Sequence, residues 1–171
     1  RPDTEALGDN RSRKNWNSIG DHIPAYLVNL ILALDPLPRG GEGREELGEF
    51  LNVCRTILNN TSRLILQKFP DPNPEVPFVN ERFHADWTPD QNWRWQQNRA
   101  IVGHNLKIAW NLTRVASYYR VLAEEERDRG RDTQAQQYEL FATDFLNLAK
   151  KLGDAMAIHG LDQVRGGCFD A

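Results

Sequence analysis

Apolar residues recur along the chain in four blocks with helical spacing, and no stretch alternates long enough to demand a sheet. The pattern predicts an all-α chain. From about Asp21, a suitable N-cap with Pro24 tolerated in the first turn, to Leu34, the residues Ile23, Ala25, Tyr26, Leu27, Val28, Leu30, Ile31 and Leu32 cover nearly every direction around the axis. Such a helix is made to be covered on all sides. The second, about Arg44 to Lys68, gathers Leu47, Phe50, Leu51, Cys54, Ile57, Leu58, Leu64 and Ile65 on one stripe, as an outer helix with one wet face does. The third, Gly103 to about Ala123, is again mostly apolar. The fourth, Thr133 to Ile158, carries Tyr138, Phe141, Phe145, Leu148, Leu152 and Met156 on one stripe. The charge run Glu124 to Asp132 between them reads as a solvated turn.

Pro70, Pro72, Pro74 and Pro77 forbid helix after the second block, and a Trp-rich segment follows to about Ala100. Its runs Val76 to Phe83 and Asp86 to Trp95 suit a small hairpin. The order buried, amphipathic, buried, amphipathic is what a double ring of helices produces, since inner helices are covered on both sides and outer ones on one. Gly20-Asp21-His22-Ile23 echoes Gly103-His104-Asn105-Leu106, each opening a buried helix. Two αα-hairpins are therefore expected, about 18–68 and 103–158, joined by a loop over 69–102 and followed by a turn over 159–171.

With 171 residues the chain has about one domain's worth of length, at roughly 100–200 residues per domain. It begins at Arg1, holds a single methionine, Met156, and stops within the turn-like Gly166-Gly167-Cys168-Phe169-Asp170-Ala171, so it is expected to be a piece of a longer protein. A net charge of -3 provides no global positive field for a phosphate backbone, which disfavours nucleic acid as a partner. The longest apolar run, within Ile23 to Leu34, is well short of the ~20 residues that span a bilayer. Two cysteines, Cys54 and Cys168, suit neither a disulfide framework nor a zinc site and point to a reducing, cytoplasmic compartment.

Candidate chemistry concentrates on the third helix. At 100° per residue His104, Lys107, Asn111, Arg114 and Tyr118 fall in a sector about 80° wide. Buried cations without partners are expensive, and a water-filled cavity that admits a polar ligand relieves the cost. Against this, a histidine at a helix start is more often a cap or a satisfied core residue, and Lys107 and Arg114 can simply reach acids on a neighbouring helix. Trp87, Trp93 and Trp95, among Asp86, Asp90, Arg94 and Arg99, suit a sugar-stacking wall, but aromatic anchors pinning a loop account for them more simply.

The run Phe83-His84-Ala85-Asp86-Trp87-Thr88-Pro89, followed by Val102-Gly103-His104-Asn105-Leu106-Lys107-Ile108-Ala109-Trp110-Asn111-Leu112, resembles the N-acylglucosamine 2-epimerase and cellobiose 2-epimerase family. That family has a short Asp-Trp segment and then a Gly-His motif opening an inner helix of an (α/α)6 toroid. Asn17-Ser18-Ile19-Gly20-Asp21-His22 and the Gly-Gly-Cys-Phe-Asp ending are similar to further family stretches. The resemblance implies a six-hairpin ring of which this chain supplies part, with the first and third helices facing a sugar pocket.

It also implies an activity: epimerisation or isomerisation at carbons 1 and 2 of a reducing sugar by proton abstraction and return, without cofactor or metal. His104 matches the family's acid/base histidine, and an ordinary pKa near ~6.5 suits both directions of transfer. Lys107, Asn111 and Arg114 would line the pocket, His22 would lie near it, and Trp87 or Trp110 would stack on the sugar. Two departures stand out. Lys107 replaces the family glutamate that can orient the imidazole, and a cation there lowers the affinity of His104 for a proton. The second catalytic histidine has no match, His159 lies at an outer helix end, and the partner is expected beyond Ala171. The expected partner is a small sugar, with no nucleic acid and no membrane, and a homodimer is one assembly to be tested. Two other functions fit the same architecture: an inactive sugar- or protein-binding toroid, and a glycoside hydrolase using two of Glu81, Asp86 and Asp90.

Overall fold

The computed structural model describes residues 13–35, 44–92 and 99–171. Four helices dominate: α1 (Ile23–Leu34), α2 (Arg44–Lys68), α3 (Val102–Asp128) and α4 (Asp132–His159). Two three-residue strands, β1 (Arg13–Asn15) and β2 (Arg82–His84), pair antiparallel with Lys14 opposite Phe83. No helix among the described residues is long and apolar enough to cross a membrane.

Sequence chemistry explains the helix limits. Glu45 and Glu46 in the first turn of α2 and Lys68 in its last complement the helix dipole, and Pro70 blocks continuation. The charge run expected as a turn is instead the last turn of α3, which extends to Asp128. Glu126 is buried there and binds Arg129, at 2.8 Å, and Arg131, so these charges are paired across the turn and not simply solvated. The reversal itself is short and relies on Gly130 at φ 71°. At α1 the expected Asp21 cap gives way to His22, whose side chain does not cap; Asp21 is used elsewhere.

The helices pack as two hairpins, α1 with α2 and α3 with α4, and α1 also lies against α3 while α2 meets α4. Val28, Ile31, Leu58, Ile65, Ile108, Leu112, Phe145 and Leu152 form the shared core. Buried Asn105 locks the loop to α3, its Oδ1 accepting from the Val79 amide at 3.1 Å. The helices built for all-round burial are not fully covered. Tyr26 is 64 % and Leu32 55 % exposed on α1, and Trp110 53 % on α3. On α2, Phe50 and Ile57 of the expected core stripe are exposed, and Thr61 and Ser62 are buried in the next turns.

The segments after α2 and α4 repeat one hydrogen-bond pattern. Pro70 bridges Val79 and the Asn80 amide donates to Phe69 O; Leu161 bridges Cys168 and the Phe169 amide donates to Gly160 O. The carbonyls of Glu81 and Asp170 then accept from Trp16 and Val102, so each return segment ends beside the start of its own hairpin's first helix. A hairpin between Val76–Phe83 and Asp86–Trp95 forms only as a tight turn: Phe83 bridges Pro89 and the Asp90 amide donates to Arg82 O at 2.9 Å. The ladder partner of β2 is β1 instead, because the turn leaves that strand's other edge free for Arg13–Asn15. Trp93, Arg94 and Trp95 lie outside the described residues.

Candidate functional site

The parallel placement of α1 and α3 brings the segment before α1, the end of the 70s loop and the first turns of α3 to one place. Three carboxylate-centred contacts meet there. Nδ1 of His104 lies 2.8 Å from Glu81 Oε2 and 3.0 Å from Oε1. Nδ1 of His22 lies 2.8 Å from Asp21 Oδ1, and Lys107 Nζ lies 3.7 Å from Asp21 Oδ2. Asp21 is 1 % exposed and Glu81 is buried, so both carboxylates are held in place by these neighbours, as buried charges require.

Glu81 has the stronger effect on the candidate base. Its hydrogen bond is the largest influence on His104 and raises the imidazole pKa above the usual value; burial opposes it, and the Asp21 charge adds to the rise. The expected lowering by Lys107 is thus reversed. Lys107 is drawn to Asp21, and a carboxylate from a different element fills the orienting role that the helix position lacks. With the proton on Nδ1 facing Glu81, Nε2 is the basic nitrogen, and among the described residues it has no hydrogen-bond partner.

The remaining predicted residues divide. Asn111 is 1 % exposed and its amide donates to the Asp21 carbonyl at 2.6 Å, a tie between hairpins that fixes the base of the site. Arg114 donates to Asn29 Oδ1 on α1, and its guanidinium lies 4.9 Å from the Trp110 ring centroid. The desolvation problem of the stripe is therefore met by protein partners. A cavity of about 370 Å³ lies elsewhere, against Phe78, Arg99, Val102, Met156 and His159, and one of about 300 Å³ lies against Arg55, Asn59, Tyr118, Tyr119 and Tyr138. Neither is lined by His104.

Trp87 takes no part in these carboxylate contacts. Its ring packs 5.4 Å from Phe83 and 5.9 Å from Trp16, with Lys14 Nζ 5.1 Å from its centroid, so it anchors the loop. The carboxylates considered for hydrolysis are separately engaged. Glu81 holds His104, Asp90 pairs with Arg13 at 3.0 Å, and Asp86 accepts from Thr88 in its own turn. His159 meets Phe78 edge-on at the end of α4.

Sequence reasoning missed the roles of Glu81 and Asp21. Glu81 precedes His104 by 23 positions across a loop, so no spacing rule connects them. For Asp21 the signal was present, an acid beside a histidine at a helix start, but it reads first as a cap. No protein-family description matches this chain, and neither a curated protein nor a solved structure does.

Proposed function

We propose that the chain forms two hairpins of an (α/α)6 toroid of the 2-epimerase kind and carries one side of a site that isomerises or epimerises reducing sugars. The observation that carries this reading is the His104–Glu81 couple with a basic Nε2. The alternation of helices with open apolar faces and the repeated return segments favour the ring.

In the proposed reaction, neutral His104 takes the proton from the carbon next to the sugar carbonyl through Nε2, while Glu81 holds the ring and stabilises the imidazolium that forms. The electron pair moves to the carbonyl oxygen and gives an enediolate. Lys107 is the nearby cation suited to that oxygen, at the cost of part of its attraction to Asp21. Return of the proton from the same face to carbon 1, with the hydroxyl proton passing from the carbon-2 oxygen to the carbon-1 oxygen, interconverts aldose and ketose with a single acid/base. Epimerisation at carbon 2 requires delivery to the opposite face.

The test is incubation of the full-length protein with mannose, N-acetylmannosamine and cellobiose in deuterated water. Deuterium should enter carbon 2 or carbon 1 of at least one sugar, and His104→Gln should lower that rate about 10²–10⁴-fold. Absence of exchange from all three, with ligand-induced stabilisation that His104→Gln leaves unchanged, would favour the inactive binding protein instead.

A further inference from the structure

We infer that the site's ligand carries an anionic group, a carboxylate or a phosphate, at the end of the sugar remote from the reducing carbon, and that Arg114 receives it. The inference rests on the proposed sugar site and adds the substrate's charge.

Four observations lead to it. First, Arg114 has no carboxylate partner among the described residues; an amide oxygen of Asn29 and the face of Trp110 are what hold it. Second, the facing helix supplies no compensation, because Ile23–Leu34 contains no charged residue. Third, the acids at the two ends of α1 are already engaged, Asp21 by His22 and Lys107 and Asp35 by Arg55. Arg114 is therefore a cation of the strip between α1 and α3 whose contacts among the described residues are neutral. A half-buried guanidinium left with neutral acceptors gains most from an anion, which it can bind through two parallel N–H donors.

Fourth, the spacing suits a sugar. The guanidinium folds back over Trp110, six positions beyond His104, so the two groups are separated by roughly 9 Å of axial rise and about 120° around the helix. A sugar with its reducing end at His104 and its anion at the far end has to run obliquely across the face of α3 to reach Arg114. The exposed ring of Trp110 borders the same path and offers an apolar surface to the sugar's C–H groups. A neutral sugar leaves Arg114 with its present neutral contacts and gains nothing from it.

Binding of glucuronate, glucose 6-phosphate and glucose to the full-length protein tests this by calorimetry, for the wild type, Arg114→Gln and Arg114→Lys, with deuterium exchange followed in parallel. At least one anionic sugar should bind about tenfold or more tighter than glucose. Arg114→Gln should abolish that preference, lowering affinity for the anionic sugar at least about tenfold more than affinity for glucose, and Arg114→Lys should retain part of it. The glucuronate and glucose 6-phosphate arms distinguish carboxylate from phosphate. Equal binding of all three sugars, binding of none, or a preference that survives Arg114→Gln overturns the inference. Exchange on neutral sugars with no effect of Arg114 leaves the proposed reaction standing and removes the anion; an Arg114-dependent preference without exchange on any sugar does the reverse.

Discussion

His104 and Lys107 lie one helical turn apart, yet different carboxylates hold them, and that separation sets the site's acid–base behaviour. Glu81 favours protonated His104, so its folded-state pKa lies above the unfolded value near ~6.5. The couple therefore contributes stability that is complete below that pH and is lost as pH rises through the raised folded value. For the proposed proton abstraction the sign is opposite, because that step needs neutral His104. The acid limb of the exchange rate should fall above the ordinary histidine range. Glu81→Gln should move it down, since the largest raising influence is gone while burial remains. A pH profile of deuterium exchange for the two proteins checks this; an unmoved limb would mean that Glu81 does not govern the imidazole.

At the scale of elements, the close approach of Gly20 to Phe69 fixes how the chain enters α1. A Cβ at Gly20 would lie 2.5 Å from the Phe69 ring, so Gly20→Ala should destabilise by about 1–3 kcal/mol, read as a lower denaturation midpoint with an unchanged slope. The end of α3 behaves differently. The hydrogen bond from Arg131, the largest influence, and that from Arg129 hold the Glu126 carboxyl below the usual range. A depressed carboxylate stabilises above its unfolded value of about 4.3, and the contribution is lost as pH falls through the folded one. Glu126→Gln should accordingly melt below wild type at pH 7, with the difference closing towards pH 3. An equal deficit at both pH values would show that the ion pairs are not its cause.

Across the whole molecule the two hairpins share one core, so damage at its centre is not confined to one of them. Phe145 is fully buried on α4 and packs 5.5 Å from Tyr119, which also donates to Asn59 of α2 at 2.5 Å. Phe145→Ala should cost about 3–5 kcal/mol and lower the protection of amides in α2 as well as α3, measurable by hydrogen exchange. Loss confined to α3 and α4 would show that the hairpins fold independently.

Local periodicity alone determined the four helices, because the 3.6-residue repeat and the prolines that follow the first two blocks act within a few residues of themselves. It placed α2 at Arg44–Lys68 and picked out His104 and its polar stripe. It also misassigned the run Glu124 to Asp128, since charges read as solvent-facing can pair across a turn. Only the tertiary structure decided which acid meets which base. Glu81 reaches His104 across a loop, Asp21 leaves the cap position for Lys107, and β1 pairs with β2 across most of the first hairpin. Such contacts depend on how elements pack, and the identity of a residue does not specify the distant partner that packing brings to it.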